Sequence, residues 1–400
     1  MTIPFLEQRR TWSVFLIFLR LGLTSFGGPV AHLGYFRDEF VVRRRWLSER
    51  AYADMLALCH FLPGPASSQL GMALGMTRAG YAGMLAAWAG FTLPSAAAMI
   101  LFGLSVGHGE GLLPAGLMQG LKLVAVAMVA QAVWGMGRSL CRGALRLAIM
   151  LAAACIVLFF SSAWAQLVVI AAGGLIGWIG IRPALGHGSD VLPPTIGRRS
   201  GAVWLGLFFV LLAGLPVLAE MQPDRTWAVI DAFYRVGALV FGGGHVVLPM
   251  LQAEVMPPGW TDSATFLAGY GAAQALPGPL FTFAAFLGTV MDAGPGDVLG
   301  GVMCLVAIFL PSFLLVAGVL PFWSSLQRNY GMQVALGGIN AAVVGLLLAA
   351  LFDPLWKDTI HDGWDMALTF LAFASLTAWK LPPWLVVLFG GMAGWAVHLL

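Results

Sequence analysis

Long apolar runs alternate with polar or glycine- and proline-rich interruptions along this chain. Runs of about 20 apolar residues, the length one membrane crossing needs, fall at 81–107, 112–137, 144–161, 163–180, 201–219, 297–320, 331–351, 364–379 and 382–399. Shorter helical patterns, each cut by breakers, precede the first four runs and the last four. Residues 10–26 read as a helix that stops at Gly27-Gly28-Pro29 and resumes over 29–44. Ser48 reads as the N-cap of 49–62, Pro63-Gly64-Pro65 ends that helix, and 66–78 resumes. Proline lacks an N–H and clashes with the preceding turn, so no straight helix passes through these triplets. None of the arms reaches 20 clean apolar residues, so each pair is expected to be a helical hairpin that enters and leaves on one side. The second half repeats the plan over 226–257, 263–293 and the last four runs.

The breaks are duplicated. Phe-Leu-Arg-Leu-Gly-Leu-Thr-Ser-Phe-Gly-Gly-Pro at 18–29 returns as Phe-Tyr-Arg-Val-Gly-Ala-Leu-Val-Phe-Gly-Gly-Gly at 233–244. Leu62-Pro63-Gly64-Pro65 returns as Leu276-Pro277-Gly278-Pro279, and Leu93-Pro94-Ser95 as Leu310-Pro311-Ser312, at an offset of 214–217 residues. A duplicated apolar chain with breakers at matching places is the signature of a secondary transporter, and the breaks point to its substrate site. The expected fold is an all-α polytopic membrane protein of two inverted-topology repeats. Each repeat has two broken-helix hairpins followed by four transmembrane helices, and one further helix links the two. The expected boundaries are 1–180 for the first repeat, 181–200 for a cytoplasmic linker, 201–219 for the unduplicated helix and 220–400 for the second, inverted repeat.

Composition agrees. The chain is 60% hydrophobic and 10% charged, with a mean hydropathy of +0.87, whereas soluble domains carry about 25% charged residues. The net charge of +3 is too small to argue for nucleic acid. Cys59, Cys141, Cys155 and Cys304 lack metal-ligand spacing and read as free, packed thiols. No dinucleotide fingerprint, haem pattern or metal cluster appears, so no cofactor and no enzyme activity is expected. Arg9 and Arg10 precede an apolar run with no small-residue cleavage site, which reads as a positive anchor rather than a signal peptide.

Lys and Arg concentrate on the cytoplasmic side of membrane proteins. Residues 37–50 carry Arg37, Arg43, Arg44, Arg45 and Arg50; the 138–146 turn carries Arg138, Arg142 and Arg146; the linker carries Arg182, Arg198 and Arg199. These share one side only if the hairpins do not cross. The matching stretch 226–297 has one basic residue, Arg235, and five acids, Asp231, Glu254, Asp262, Asp292 and Asp297. The second copy is therefore expected to begin outside, flipped by helix 201–219, with the N-terminus cytoplasmic and the C-terminus periplasmic.

Phe26-Gly27-Gly28-Pro29 with His32, Glu39 and Trp46, followed by Pro63-Gly64-Pro65, resembles the chromate ion transporter family in its long, two-domain form. That resemblance implies export of chromate across a bacterial inner membrane, with sulfate as a structural mimic and second candidate cargo. The second copy departs from the first: Pro29 is matched by Gly244, His32 by Val247, and His245 by Val30.

A tetrahedral dianion needs donors where water is scarce. Helix N-termini present free N–H groups with partial positive charge, and each break creates one. Glycine there lets an anion approach the backbone. The candidate substrate-binding residues are Gly27, Gly28, Pro29, Pro63, Gly64, Pro65, Ser67 and Ser68 in the first half. In the second they are Gly242, Gly243, Gly244, Pro277, Gly278, Pro279 and Thr282. The alternative is that the breaks are kinks that help helices pack. Intramembrane charge adds Arg20, about 9 Å along a helix from Phe26, and Lys122, whose counterpart is Asn340. The other readings are snorkelling for Arg20 and a structural hydrogen bond for Lys122. His32, Glu39, Arg235, His245 and Glu254 are candidates for coupling or gating, with capping, ion pairing or closure of the break as the alternative roles. A carrier is the first expectation and an anion channel the second. The driving ion and the oligomeric state, a dimer included, stay open.

Overall fold

The computed structural model describes residues 4–107, 114–160, 163–180, 197–222, 224–241, 246–323 and 330–398. The described residues of the first half form α1 (Pro4–Thr24), α2 (Gly28–Arg37, continued by a π-helical turn Asp38–Arg43), α3 (Glu49–Phe61), α4 (Ala66–Gly107), α5 (Ala115–Leu140), α6 (Ala144–Phe159) and α7 (Ala163–Gly180). After α8 (Arg198–Met221) come α9 (Arg225–Leu239), α10 (Val247–Val255), α11 (Ser263–Ala275), α12 (Phe283–Val290, preceded by a 3-10 turn Leu280–Thr282), α13 (Asp297–Val319), α14 (Tyr330–Ala350), α15 (Gly363–Thr377) and α16 (Pro383–His398). Linker residues 181–196 lie outside the described residues.

The breakers act as the sequence suggests. Gly27 and Gly28 take φ of 103° and 76° between α1 and α2. Gly64 and Gly278 take φ of 118° and 101° inside their Pro-Gly-Pro triplets. Ser48 caps α3 by accepting from the Ala51 N–H, and Asp262 caps α11 by accepting from the Thr265 N–H at 2.9 Å. The chain reverses inside α4 at Ala79 and Gly80, whose backbone is non-helical. Gly75 and Gly83, on either side, pack backbone to backbone, so residues 66–78 and 81–107 are two antiparallel arms. Gly288 and Gly300 make the same contact between α12 and α13.

Among the described residues, five helices are long and apolar enough to cross a membrane, within 66–106, 116–140, 198–221, 297–322 and 334–359. Four of the nine runs expected to span form shorter helices, α6, α7, α15 and α16, of 16, 18, 15 and 16 residues. At 1.5 Å per residue a 16-residue helix rises about 24 Å, less than the ~30 Å hydrocarbon core. Gly143 and Asp362 are the N-caps of α6 and α15, and α16 starts at Pro383 after Pro382.

These short helices pair off against the opposite half. α6 and α7 pack on α14, while α15 and α16 pack on α5. The contacts are reciprocal at the level of single glycines: Gly120 of α5 lies against Gly390 and Gly394 of α16, and Gly338 of α14 lies against Gly173 and Gly177 of α7. Small residues four apart let helix backbones approach in an apolar medium. The second core joins α4, α12, α13 and α9, with α1 laid along α4. α8 is the least buried of the five long apolar helices, with Val203, Phe209, Val210 and Val217 exposed. Of the cysteines, Cys59, Cys141 and Cys304 are buried, whereas Cys155 lies exposed on α6.

Candidate functional site

Two backbone bonds cross between the halves beside the breaks. The Gly64 N–H donates to Val240 O at 2.6 Å, and the Gly278 N–H donates to Ser25 O at 3.1 Å. Each Pro-Gly-Pro triplet therefore docks on the break of the other half. Glycine is required there twice over. Its positive φ disfavours other residues, and a Cβ on Gly64 would lie 2.6 Å from both Gln69 Nε2 and Ser312 Oγ. On Gly278 it would lie 2.8 Å from Ser95 Oγ and 3.1 Å from Phe91 O. The serines of the two Leu-Pro-Ser copies thus each face the opposite half's triplet.

His32 links the two breaks of the first half. Its Nε2 lies 3.1 Å from Ser25 O and its Nδ1 3.4 Å from Ser67 Oγ. A carbonyl only accepts, so Nε2 carries the proton, and the neutral ring accepts at Nδ1 from the Ser67 hydroxyl. The ring stands edge-on against Phe91, centroids 5.2 Å apart. Gln69 Nε2 donates to Pro63 O at 2.6 Å and reaches Ser312 Oγ at 3.4 Å. Contacts thus run from Gly278 through Ser25 and His32 to Ser67, and Gly64, three residues before Ser67 in the chain, bonds Val240.

Several buried polar atoms around it have no hydrogen-bond partner among the described residues: Ser25 Oγ, Ser68 Oγ, Gln69 Oε1 and Thr92 Oγ1. Each unmet buried hydroxyl costs about 1–3 kcal/mol; Ser25 contacts His32 through its carbonyl, and Ser68 and Thr92 follow Ser67 and Phe91, which also touch His32. Backbone donors adjoin them. The first turn of α4 closes with the Gln69 N–H on Pro65 O at 2.9 Å. The N–H groups of Ala66, Ser67 and Ser68 precede it, where a helix has no carbonyl to offer them. The Gly64 and Gly278 N–H groups, by contrast, are committed to Val240 and Ser25.

The second copy keeps the positive-φ glycine of its Pro-Gly-Pro triplet and differs in chemistry. Ser25, His32, Ser67, Gln69 and Thr92 are matched by Val240, Val247, Phe281, Phe283 and Phe309, all buried. Ser68 is matched by Thr282, whose hydroxyl already donates to Pro279 O at 2.9 Å. Gly242, Gly243, Gly244 and His245 lie outside the described residues.

No hydrogen bond or ion pair joins the remaining candidates to the described residues of the breaks, and three of them carry charge already paired. Arg20 is exposed on α1, with no ion pair among the described residues. Lys122 and Asn340 are half-buried on α5 and α14, helices that pack on each other, and neither has a hydrogen-bond partner among the described residues. Glu39 sits buried in the π-helical turn, 2.7 Å from Arg44 Nε and 3.6 Å from Arg43. Arg235 is bound by Asp231 at 2.7 Å and Glu254 at 3.2 Å. Ser25, Gln69, Thr92, Ser95 and Ser312 were not among the candidate site residues named from sequence, although Ser95 and Ser312 belong to a duplicated motif. The signal that finds them is the duplication itself, either as a retained serine or as a polar residue facing an apolar one at the constant offset.

Comparison with known proteins accords with the duplicated design. The family model described as "Chromate transporter" matches twice, over residues 12–178 and 227–395. A chromate transport protein of Pseudomonas aeruginosa is 30% identical over 402 residues, covering 96% of this chain and 92% of its own. A probable chromate transport protein of Synechococcus elongatus is 27% identical, covering 94% and 93%. An uncharacterised transporter of Bacillus subtilis is 28% identical over 161 residues, 39% of this chain but 80% of its own length, so one copy of the unit occurs in a half-length relative. No solved structure matches. With two matches that together span both halves, and apolar helices long enough to cross a bilayer, this chain belongs to the chromate transporter family and is a multi-pass transport protein rather than an enzyme.

Proposed function

We propose that the protein exports chromate from the cytoplasm across the bacterial inner membrane, by alternating access around the crossed breaks. The observation that carries this reading is the group of three unpartnered buried hydroxyls, Ser25, Ser68 and Thr92, beside the opening turn of α4. Hydroxyl O–H and helix-opening N–H groups are donors suited to a tetrahedral oxyanion. The family and the named relatives supply the choice of chromate. Sulfate shares its shape and charge and is expected to compete. Gly27, Gly28, Pro29, Pro63, Gly64, Pro65, Ser67 and Ser68 shape the anion's place. Gly242–Gly244, Pro277, Gly278, Pro279 and Thr282 hold it from the opposite half. Lys122, with no ion pair among the described residues, is the cation proposed to offset the dianion. Arg20, exposed on α1, acts at the approach to the site.

The one-sided arginines support an inverted arrangement of the copies, with the linker and N-terminus cytoplasmic and the C-terminus periplasmic. The hairpins then enter the membrane from opposite faces and touch at their tips, which accounts for the bonds from Gly64 to Val240 and from Gly278 to Ser25.

Labelled chromate and sulfate offered to inside-out vesicles test this reading. Saturable chromate uptake, competed by sulfate and accelerated by chromate inside, is expected. Unitary currents with flux that does not saturate would replace the carrier by a channel. Cysteines placed in the 182–199 linker should resist an impermeant reagent applied to intact cells, whereas one beside Asp358 should react; labelling of the linker overturns the inverted arrangement.

A further inference from the structure

The cluster of Asp231, Arg235 and Glu254 in the second copy has no role in the oxyanion site. We propose that it is a proton-binding site that couples proton entry to oxyanion export; the proposal rests on the carrier reading above. One Arg235 NH2 group bridges Asp231 at 2.7 Å and Glu254 at 3.2 Å. The three side chains are 20%, 8% and 14% exposed. Two carboxylates thus share one guanidinium in a mostly buried place, with net charge −1 when both are ionised and zero when one is protonated. Burial without a matching charge favours the neutral form, and two such carboxylates take up a single proton as a pair.

Few other charges act here. The charged groups acting on Glu254 are Arg235 and Asp231. α9 packs against α8, α10 and α13. Arg198, Arg199 and Glu220 sit at the ends of α8, Arg225 opens α9, and Asp297 opens α13. The Tyr234 hydroxyl donates to Phe208 O at 3.0 Å, and Cys304 is a buried thiol of α13. α10 also packs on α7, which has no ionisable residue, and on α14, beyond whose end Asp353 pairs with Lys357 at 3.3 Å.

The cluster has no twin. The first copy has Leu16, Arg20 and Glu39 at the matching positions. There Glu39 faces two arginines, Arg43 and Arg44, so cation exceeds anion and nothing calls for a proton.

Its place provides the coupling. Asp231 and Arg235 lie on α9 and Glu254 on α10, so the cluster ties together the two arms of one broken hairpin. Five residues after Arg235, about 7.5 Å of helix rise, comes Val240, whose carbonyl holds the Gly64 N–H of the oxyanion site. Protonation of either carboxylate weakens its bond to Arg235 and loosens that hairpin. The proton arrives from periplasmic water as a bond to one carboxylate oxygen and leaves the same oxygen to cytoplasmic water; no electron moves.

The test uses the full-length protein in inside-out vesicles with labelled chromate, comparing chromate–chromate exchange with uptake driven by an acidic lumen. Wild type should accumulate several-fold more chromate when the lumen is acid. Asp231→Asn and Glu254→Gln should keep exchange and lose that stimulation. A second measurement needs no variant: chromate added to purified wild type in weak buffer should release protons. The proposal is overturned if wild type exchanges chromate but neither responds to the gradient nor releases protons, or if both variants keep the full stimulation. Wild type with no chromate flux of any kind overturns the carrier reading itself, a separate outcome.

Discussion

The two copies share their breakers and divide the chemistry. At the first break stand Ser25, His32, Ser67, Ser68, Gln69 and Thr92; at the second stand Val240, Val247, Phe281, Thr282, Phe283 and Phe309. Both sets are buried. The first leaves hydroxyls without partners, whereas in the second, aromatic rings fill the matching positions and the one hydroxyl is bonded to its own turn. Duplication therefore preserved what holds the breaks together, the glycines, prolines and paired serines, and released the side chains around them. Two symmetric oxyanion sites would need polar side chains in both copies. One site, with the second copy as its support, needs them only in the first.

The largest effect should come where both copies are alike. Gly64→Ala places a Cβ 2.6 Å from Gln69 and Ser312 at a φ of 118°, which a non-glycine residue resists by about 1–2 kcal/mol before any clash. Transport should be abolished with membrane insertion intact. Gly28→Ala, where a Cβ meets nothing within 4 Å, should lose only the strain, roughly tenfold. Equal losses at the two positions would mean that strain, not the crossing, matters.

Next comes Gln69→Phe, which gives the first copy the residue the second has at Phe283. It removes the brace to Pro63 O and adds bulk to a fully buried position, so chromate transport should fall about 100-fold, or ~2.7 kcal/mol. Near-normal transport at normal expression would show that the polar break is not the site. Lys122→Asn similarly copies Asn340. Loss of a charge-assisted contact, about 1.5–3 kcal/mol, should weaken apparent affinity for chromate 10- to 100-fold, and unchanged affinity removes Lys122 from the site.

Smaller effects separate binding from packing. His32→Val, which copies Val247, deletes hydrogen bonds to Ser25 and Ser67 worth about 1 kcal/mol each; affinity should drop roughly tenfold, with the drop read from competition by sulfate. Thr92→Val removes an unpartnered hydroxyl at nearly constant volume. Thermal stability of the purified protein should stay level or rise by up to about 1 kcal/mol, while affinity falls a few-fold. A stability loss with unchanged affinity would make Thr92 a packing residue.

Much of this was legible in the chain. Proline and glycine act on their own backbone, so Gly27-Gly28-Pro29, Pro63-Gly64-Pro65 and Pro277-Gly278-Pro279 end helices wherever they fall, and Ser48 caps the helix that follows it. The apolar runs, the constant offset and the scarcity of charge established a duplicated membrane protein without reference to any contact. Partners were not legible, because they depend on positions hundreds of residues apart. Nothing local says that Gly64 donates to Val240 and Gly278 to Ser25, that α5 packs on α15 and α16 while α14 packs on α6 and α7, or that Gln69 reaches Ser312. Those contacts decide which N–H groups are committed and which stay free. They also place Arg20 on the surface, and they bind Arg235 between two carboxylates while Glu39 turns to Arg43 and Arg44. The sequence alone determined where the helices break, since a break is a property of a few consecutive residues. Only the tertiary structure decided which break meets which, and so which copy holds polar groups in want of a partner, because burial and hydrogen bonding are properties of neighbours in space.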